Sequence, residues 1–95
     1  MIENIFLELR GIGMVHSRDE FSAEWLGRER SYLRCLRAKH RNPSTKVLAT
    51  CAVRLLKNAD QLGKAEAAIA KAKSVELRRL ANSCLEQILI EGARR

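Results

Sequence analysis

Ninety-five residues carrying a formal net charge of +7 allow one small domain with a limited core, and no apolar run approaches the ~20 residues needed to cross a bilayer. Cys35, Cys51 and Cys84 are odd in number and show no CxxC or Cys/His spacing, so the composition excludes a disulfide framework and a zinc site and points to reduced cytoplasm. Abundant Ala, Leu, Arg, Lys and Glu with a single proline predict an all-α fold.

The stretch MIENIFLELRGIG is unlike a signal peptide, because an acid stands near its start and polar residues interrupt the apolar ones. Ile2, Ile5, Phe6 and Leu9 instead fall at the spacing of one helical face, which predicts a first helix over about 2–11, ended by Gly11 and Gly13. Ser17-Arg18-Asp19-Glu20 is a capping box that starts a second helix, in which the serine oxygen accepts from the third helical N–H and Glu20 reaches back to the cap. Phe21, Ala23, Trp25 and Leu26 form its apolar side, and Gly27 supplies a positive φ to reverse the chain.

A third helix is predicted from about Arg30 to Ala38, with Tyr32, Leu33 and Leu36 inward and Arg30, Arg34 and Arg37 on its other sides. In Arg41-Asn42-Pro43-Ser44 the proline pushes its predecessor out of the helical region and Ser44 caps a fourth helix. Val47, Leu48, Cys51, Ala52 and Leu55 mark that helix up to about Lys57, where Asn58-Ala59-Asp60 is read as an interruption. Beyond it lie two apolar stripes, Leu62, Ala65, Ile69 and Ala72, then Leu77, Leu80, Ala81, Cys84, Leu85 and Ile88. At ~100° per residue the stripes differ by roughly a quarter turn, which predicts one long kinked helix or two helices breaking near Ser74. Val75 and Ile90 fit neither stripe. The expected organisation is four short helices over residues 1–58 and a C-terminal helical extension over 59–95 that packs on them or joins two subunits into a homodimer.

Charge is concentrated in the middle of this order. From Arg28 to Arg41 there are six basic residues against Glu29 alone, so +5 of the net +7 lies there, and such a patch attracts polyanions. Two short helices meeting at a glycine, the second basic, have the shape of a helix-turn-helix. Ala23, four residues before Gly27, is small enough to let the helices approach; Leu26 precedes the glycine; Leu33 and Leu36, six and nine residues after it, hold the second helix to the core.

On these residues, and on Pro43-Ser44 sixteen residues after the glycine, the segment 1–58 resembles the Cro/C1-type, lambda-repressor-like DNA-binding domains, and it is similar to short helix-turn-helix proteins of proteobacteria. The resemblance implies that Arg30, Ser31, Arg34 and Cys35 face the major groove, with Arg34 suited to bidentate contact with guanine. It implies phosphate contacts from Arg28, Arg37, Lys39 and Arg41, and from the start of the fourth helix at Ser44, Thr45 and Lys46. Some positions depart from the family pattern: Ser22 stands before the alanine where an apolar residue is usual, Glu29 where Ser or Thr caps the recognition helix, Asp19 where a glutamine contacts phosphate, and Lys39 where a glycine ends the helix.

No Gly-rich phosphate loop, activated nucleophile or metal-ligand spacing is present in the sequence, so neither an enzyme nor a cofactor is expected. His16 and His40 read as a residue before a cap and a loop residue. The expected function is sequence-specific binding of double-stranded DNA by a transcriptional regulator through helix 30–38. The alternative is a protein-interaction adaptor on the same scaffold, suggested by the acids at 19 and 29.

Overall fold

The structure, a computed structural model, describes residues 2–93. Five helices follow one another: α1 (Ile2–Gly11), α2 (Arg18–Glu24), α3 (Tyr32–Ala38), α4 (Thr45–Gly63) and α5 (Ala68–Ala93). The protein is all-α, and there is no strand among the described residues.

The first three helices are built as their local signals direct. Ile2, Ile5, Phe6 and Leu9 are all buried. Gly13, at φ +78°, closes α1: its N–H donates to Arg10 O and that of Met14 to Leu9 O, which satisfies the last carbonyls. Ser17 caps α2, its Oγ accepting from Glu20 N–H at 3.1 Å. The Glu20 carboxylate reaches one residue further back than the capping box predicts, accepting from His16 N–H at 3.3 Å. Phe21 packs on Phe6 with ring centroids 5.7 Å apart, joining α1 and α2.

The third helix starts at Tyr32, two residues later than expected, so Arg30 precedes it and Ser31 is its N-cap. It ends with paired bonds, from His40 N–H to Arg37 O and from Arg41 N–H to Leu36 O, and the left-handed residue is His40, at φ +51°. The left-handed residue that ends α3 is therefore His40 and not Lys39. A side chain costs roughly 1–2 kcal/mol in this conformation. Because glycine also loses more chain entropy on folding, His40→Gly is expected to stabilise the protein by about 0.5–1 kcal/mol, read as a higher urea midpoint at unchanged slope.

Two features beyond α3 differ from expectation. Helix α4 is neither short nor interrupted at Asn58-Ala59-Asp60: Asn58 Nδ2 bonds back to Arg54 O at 2.8 Å, Ala59 is fully buried, and the helix runs to Gly63. Helix α5 is one element through Ser74. The phase change between the apolar stripes arises because Leu62 lies in the last turn of α4 and Ala65 in the turn before α5, so the break falls at 64–67. Ile69, counted in the first stripe, is 72% exposed.

Helices α4 and α5 form an antiparallel pair. At one end Ser74, buried, donates its hydroxyl to Ala59 O at 2.7 Å; at the other Thr45 Oγ1 donates to Glu91 Oε2 at 3.1 Å. Ala59 and Gly63 let the backbones close, since a Cβ on Gly63 would lie 3.3 Å from Ser74 Oγ. Between these ends the core joins Cys51, Leu55 and Ala59 of α4 to Leu77, Leu80, Ala81 and Cys84 of α5. The hydrogen bond with Cys84, and then burial, pushes the Cys51 thiol far above its ordinary value, so it stays protonated. The stripe Leu77–Cys84 is thus part of the protein's own core and is closed to a second subunit. On either side of it, Ile69, Val75, Leu85, Leu89 and Ile90 are the exposed large apolar residues of α5.

Candidate nucleic-acid interface

The α2–α3 turn is positioned by two polar side chains that the sequence pattern does not single out. Ser22, fully buried, donates its hydroxyl to Arg18 O at 2.9 Å and accepts from Leu33 N–H at 3.1 Å. It therefore caps α3 from within α2, while Ser31, at the N-cap, makes no side-chain cap bond and Glu29 serves through its backbone, accepting from Tyr32 N–H. This explains the serine where an apolar residue is usual: a helix N-terminus leaves orphan donors, and here a neighbouring helix satisfies one.

Gly27 reverses the chain at φ +67°, and Arg28 N–H returns to Ser22 O at 3.0 Å. From α4, Arg54 Nη1 donates to Ala23 O at 3.2 Å and Glu24 O at 2.6 Å, covering the carbonyl end of α2. A Cβ on Gly27 would lie 3.1 Å from Arg54 Nη2, a contact that a small shift of the guanidinium relieves, so it is the positive φ that calls for glycine.

On α3, Leu33 is buried and Leu36 half-buried, while Arg34, Cys35 and Arg37 are exposed. The expected site residues then divide. Arg30 is exposed but lies ahead of the helix, and Ser31 is half-buried at its cap. Lys39 and Arg41 are exposed just past the end of α3. Arg28, in the turn before α3, is drawn toward the start of that helix, with its guanidinium carbon 5.1 Å from the Tyr32 ring centre and Nε 3.9 Å from Glu29. Ser44 Oγ accepts from Val47 N–H at 3.3 Å, and the Thr45–Glu91 bond brings a carboxylate to the start of α4. Lys46 is exposed beside it.

Arg30, Arg37, Lys39, Arg41 and Lys46 have no acidic partner within salt-bridge distance among the described residues. Arg34 does: its Nε lies 2.9 Å from Asp19 Oδ1 and its Nη2 3.3 Å from Oδ2, across the gap between the first turn of α2 and the middle of α3. Beside this helix is a hollow of about 740 Å³, floored by Ile2, Leu33, Leu36 and Pro43 with Arg37 and Arg41 on its rim.

Of the residues that shape the site, Asp19, Ser22 and Arg54 are absent from the set expected to touch DNA. The first two stand at departures from the family pattern, which was the available signal. Arg54 carries none, because an arginine at the tenth position of an amphipathic helix reads as a solvated position. No curated protein and no solved structure matches the chain. A family model does, over residues 2–94, nearly the whole sequence: the chain belongs to a family of unknown function, DUF6626.

Proposed function

We propose that this protein binds double-stranded DNA as a cytoplasmic transcriptional regulator, with α3 in the major groove. The observation that carries the reading is the set of five exposed cations without acidic partners, Arg30, Arg37, Lys39, Arg41 and Lys46, on and around a short helix whose orientation is fixed by Ser22, Gly27 and Arg54. Unpaired cations are favourable toward phosphates because they release condensed counterions without first breaking internal pairs. Within this reading Arg37, Lys39, Arg41 and Lys46 contact phosphates, and Arg34 and Cys35 are presented to base edges, with Arg30, Ser31 and Arg28 near the start of the helix.

Anisotropy titration of a random-sequence duplex tests it. Binding is expected near 50 mM salt, with log K falling against log salt at a slope of about −3.6 to −4.5, the value for four or five phosphate contacts at ~0.9 each. An Arg37→Ala/Lys39→Ala/Arg41→Ala variant is expected to lower the slope magnitude by about 3 and to weaken all sequences alike. Absence of binding by the folded wild type at low salt would end the DNA reading.

In that event the adaptor reading takes its place. Asp19, Glu29 and Glu91 put carboxylates beside α3 and the start of α4, an arrangement that repels phosphate but suits a protein partner of mixed charge. Homodimerisation belongs to the DNA reading, since paired domains read two half-sites. With Leu77–Cys84 inside the core, Leu85, Leu89 and Ile90 remain to form such a contact through α5.

A further inference from the structure

We propose that Asp19 is a positioning residue for Arg34, and that the pair, rather than the arginine alone, sets a preference for guanine at one position of the bound DNA. This rests on the DNA-binding reading above.

A guanidinium carries five N–H groups in one plane. Asp19 takes those on one side, Nε–H through Oδ1 at 2.9 Å and one Nη2–H through Oδ2 at 3.3 Å. The far end, both protons of Nη1 and the second of Nη2, is left unused by the carboxylate. Two parallel N–H groups at that end match O6 and N7 of guanine. The Arg34 side chain is 61% exposed against 33% for Asp19, so of the two the arginine is the more open to solvent.

Both ends of the arginine are thereby fixed. Its stem is on α3, which Ser22 ties to α2, and its head is held by a residue in the first turn of α2, where the helix dipole favours a carboxylate. An arginine restrained before binding loses less freedom on contact. The carboxylate also cancels most of its charge at a distance, making Arg34 a poor phosphate ligand and leaving base-edge contact as its useful role. Asp19 itself repels phosphate, so it weakens attachment to every sequence while sharpening the choice among them.

These opposite effects define the test. The full-length wild type, Asp19→Asn, Asp19→Glu and Arg34→Ala are each used to select duplexes from a random pool. Affinities are then measured for the wild-type optimum, for the same duplex with the selected guanine changed to adenine, and for random duplex. The wild type is expected to prefer the guanine duplex by about 5- to 150-fold. Arg34→Ala abolishes that preference; Asp19→Asn reduces it to under about 3-fold while binding random duplex more tightly; Asp19→Glu restores part of it. If Asp19 only joins two helices or screens charge, Asp19→Asn keeps the full preference, and the proposal fails. A wild type that binds DNA without guanine preference also overturns it while leaving the DNA reading intact, whereas no binding at all removes both.

Discussion

Ending the chain at Lys57 is expected to give a polypeptide with no cooperative unfolding transition, although α1–α3 and most of α4 are then present. The cut removes Leu77, Leu80, Ala81 and Cys84, each at most 2% exposed, and uncovers Cys51 and Leu55 on α4. It also deletes Ala59, which packs beneath Ser74, and the last turns of α4. Leucine-to-alanine changes at such sites cost about 2–5 kcal/mol each, and a domain of this size is stable by only about 5–15 kcal/mol. Losing the whole helix therefore exceeds what the remainder can supply. The same argument predicts a graded result in the intact chain: Leu77→Ala destabilises by about 2–5 kcal/mol, whereas Leu89→Ala, at a residue 72% exposed, stays within ±0.5 kcal/mol. Urea melts followed by far-UV circular dichroism measure both. A sharp transition in the truncated chain would show that α1–α4 need no cover from α5.

Local signals were legible wherever one residue type has one physical use. The apolar face of α1, the Ser17 and Ser44 caps, the reversal at Gly27 and the inward Leu33 could all be read from spacing. The α4–α5 hairpin could not, because its defining features are weak in sequence. Asn58 and Asp60 disfavour helix interiors only slightly, and the burial of Ala59 against α5 outweighs them. The turn at 64–67 contains no proline and follows a glycine that remains helical, so the sequence pattern places the phase shift between stripes at Ser74 instead. Ser74 was a reasonable place for a break on composition, yet its hydroxyl is the pin across the hairpin.

The candidate site shows the same division. Exposure of Arg34, Cys35, Arg37, Lys39 and Arg41 follows from the burial of Leu33 and half-burial of Leu36, which periodicity reveals. Which of those cations is paired depends on residues distant in sequence: Arg34 meets Asp19 from 15 positions away, and periodicity carries no information about such a contact. Glu29 and Ser22 illustrate the limit: the cap of α3 was sought on its own helix, and the structure supplies it from α2.

Ser22→Ala is accordingly expected to destabilise the protein by about 1–3 kcal/mol, the cost of leaving a buried donor unpaired. Ser17→Ala, which removes a cap bond at an exposed position, should cost about 0.5–2 kcal/mol, and it disturbs only the start of α2. The two are separable by amide exchange. Loss of Ser22 Oγ frees Leu33 N–H and loosens α3 against α2, so exchange at Leu33 and along the first turn of α3 should accelerate beyond the global change in stability. Loss of Ser17 Oγ should act in that manner at Glu20 alone. If the proposed DNA binding holds, the Ser22 variant should also lose base preference before phosphate affinity, because Arg34 reaches Asp19 across the joint that Ser22 ties: cations at Arg37, Lys39 and Arg41 would need only proximity to the backbone, whereas a bidentate contact would require the helix to be held in place. Equal loss of both, in a variant that retains its helix content, would place the determinant of α3 orientation elsewhere, with Arg54 and its bonds to Ala23 O and Glu24 O the remaining anchor.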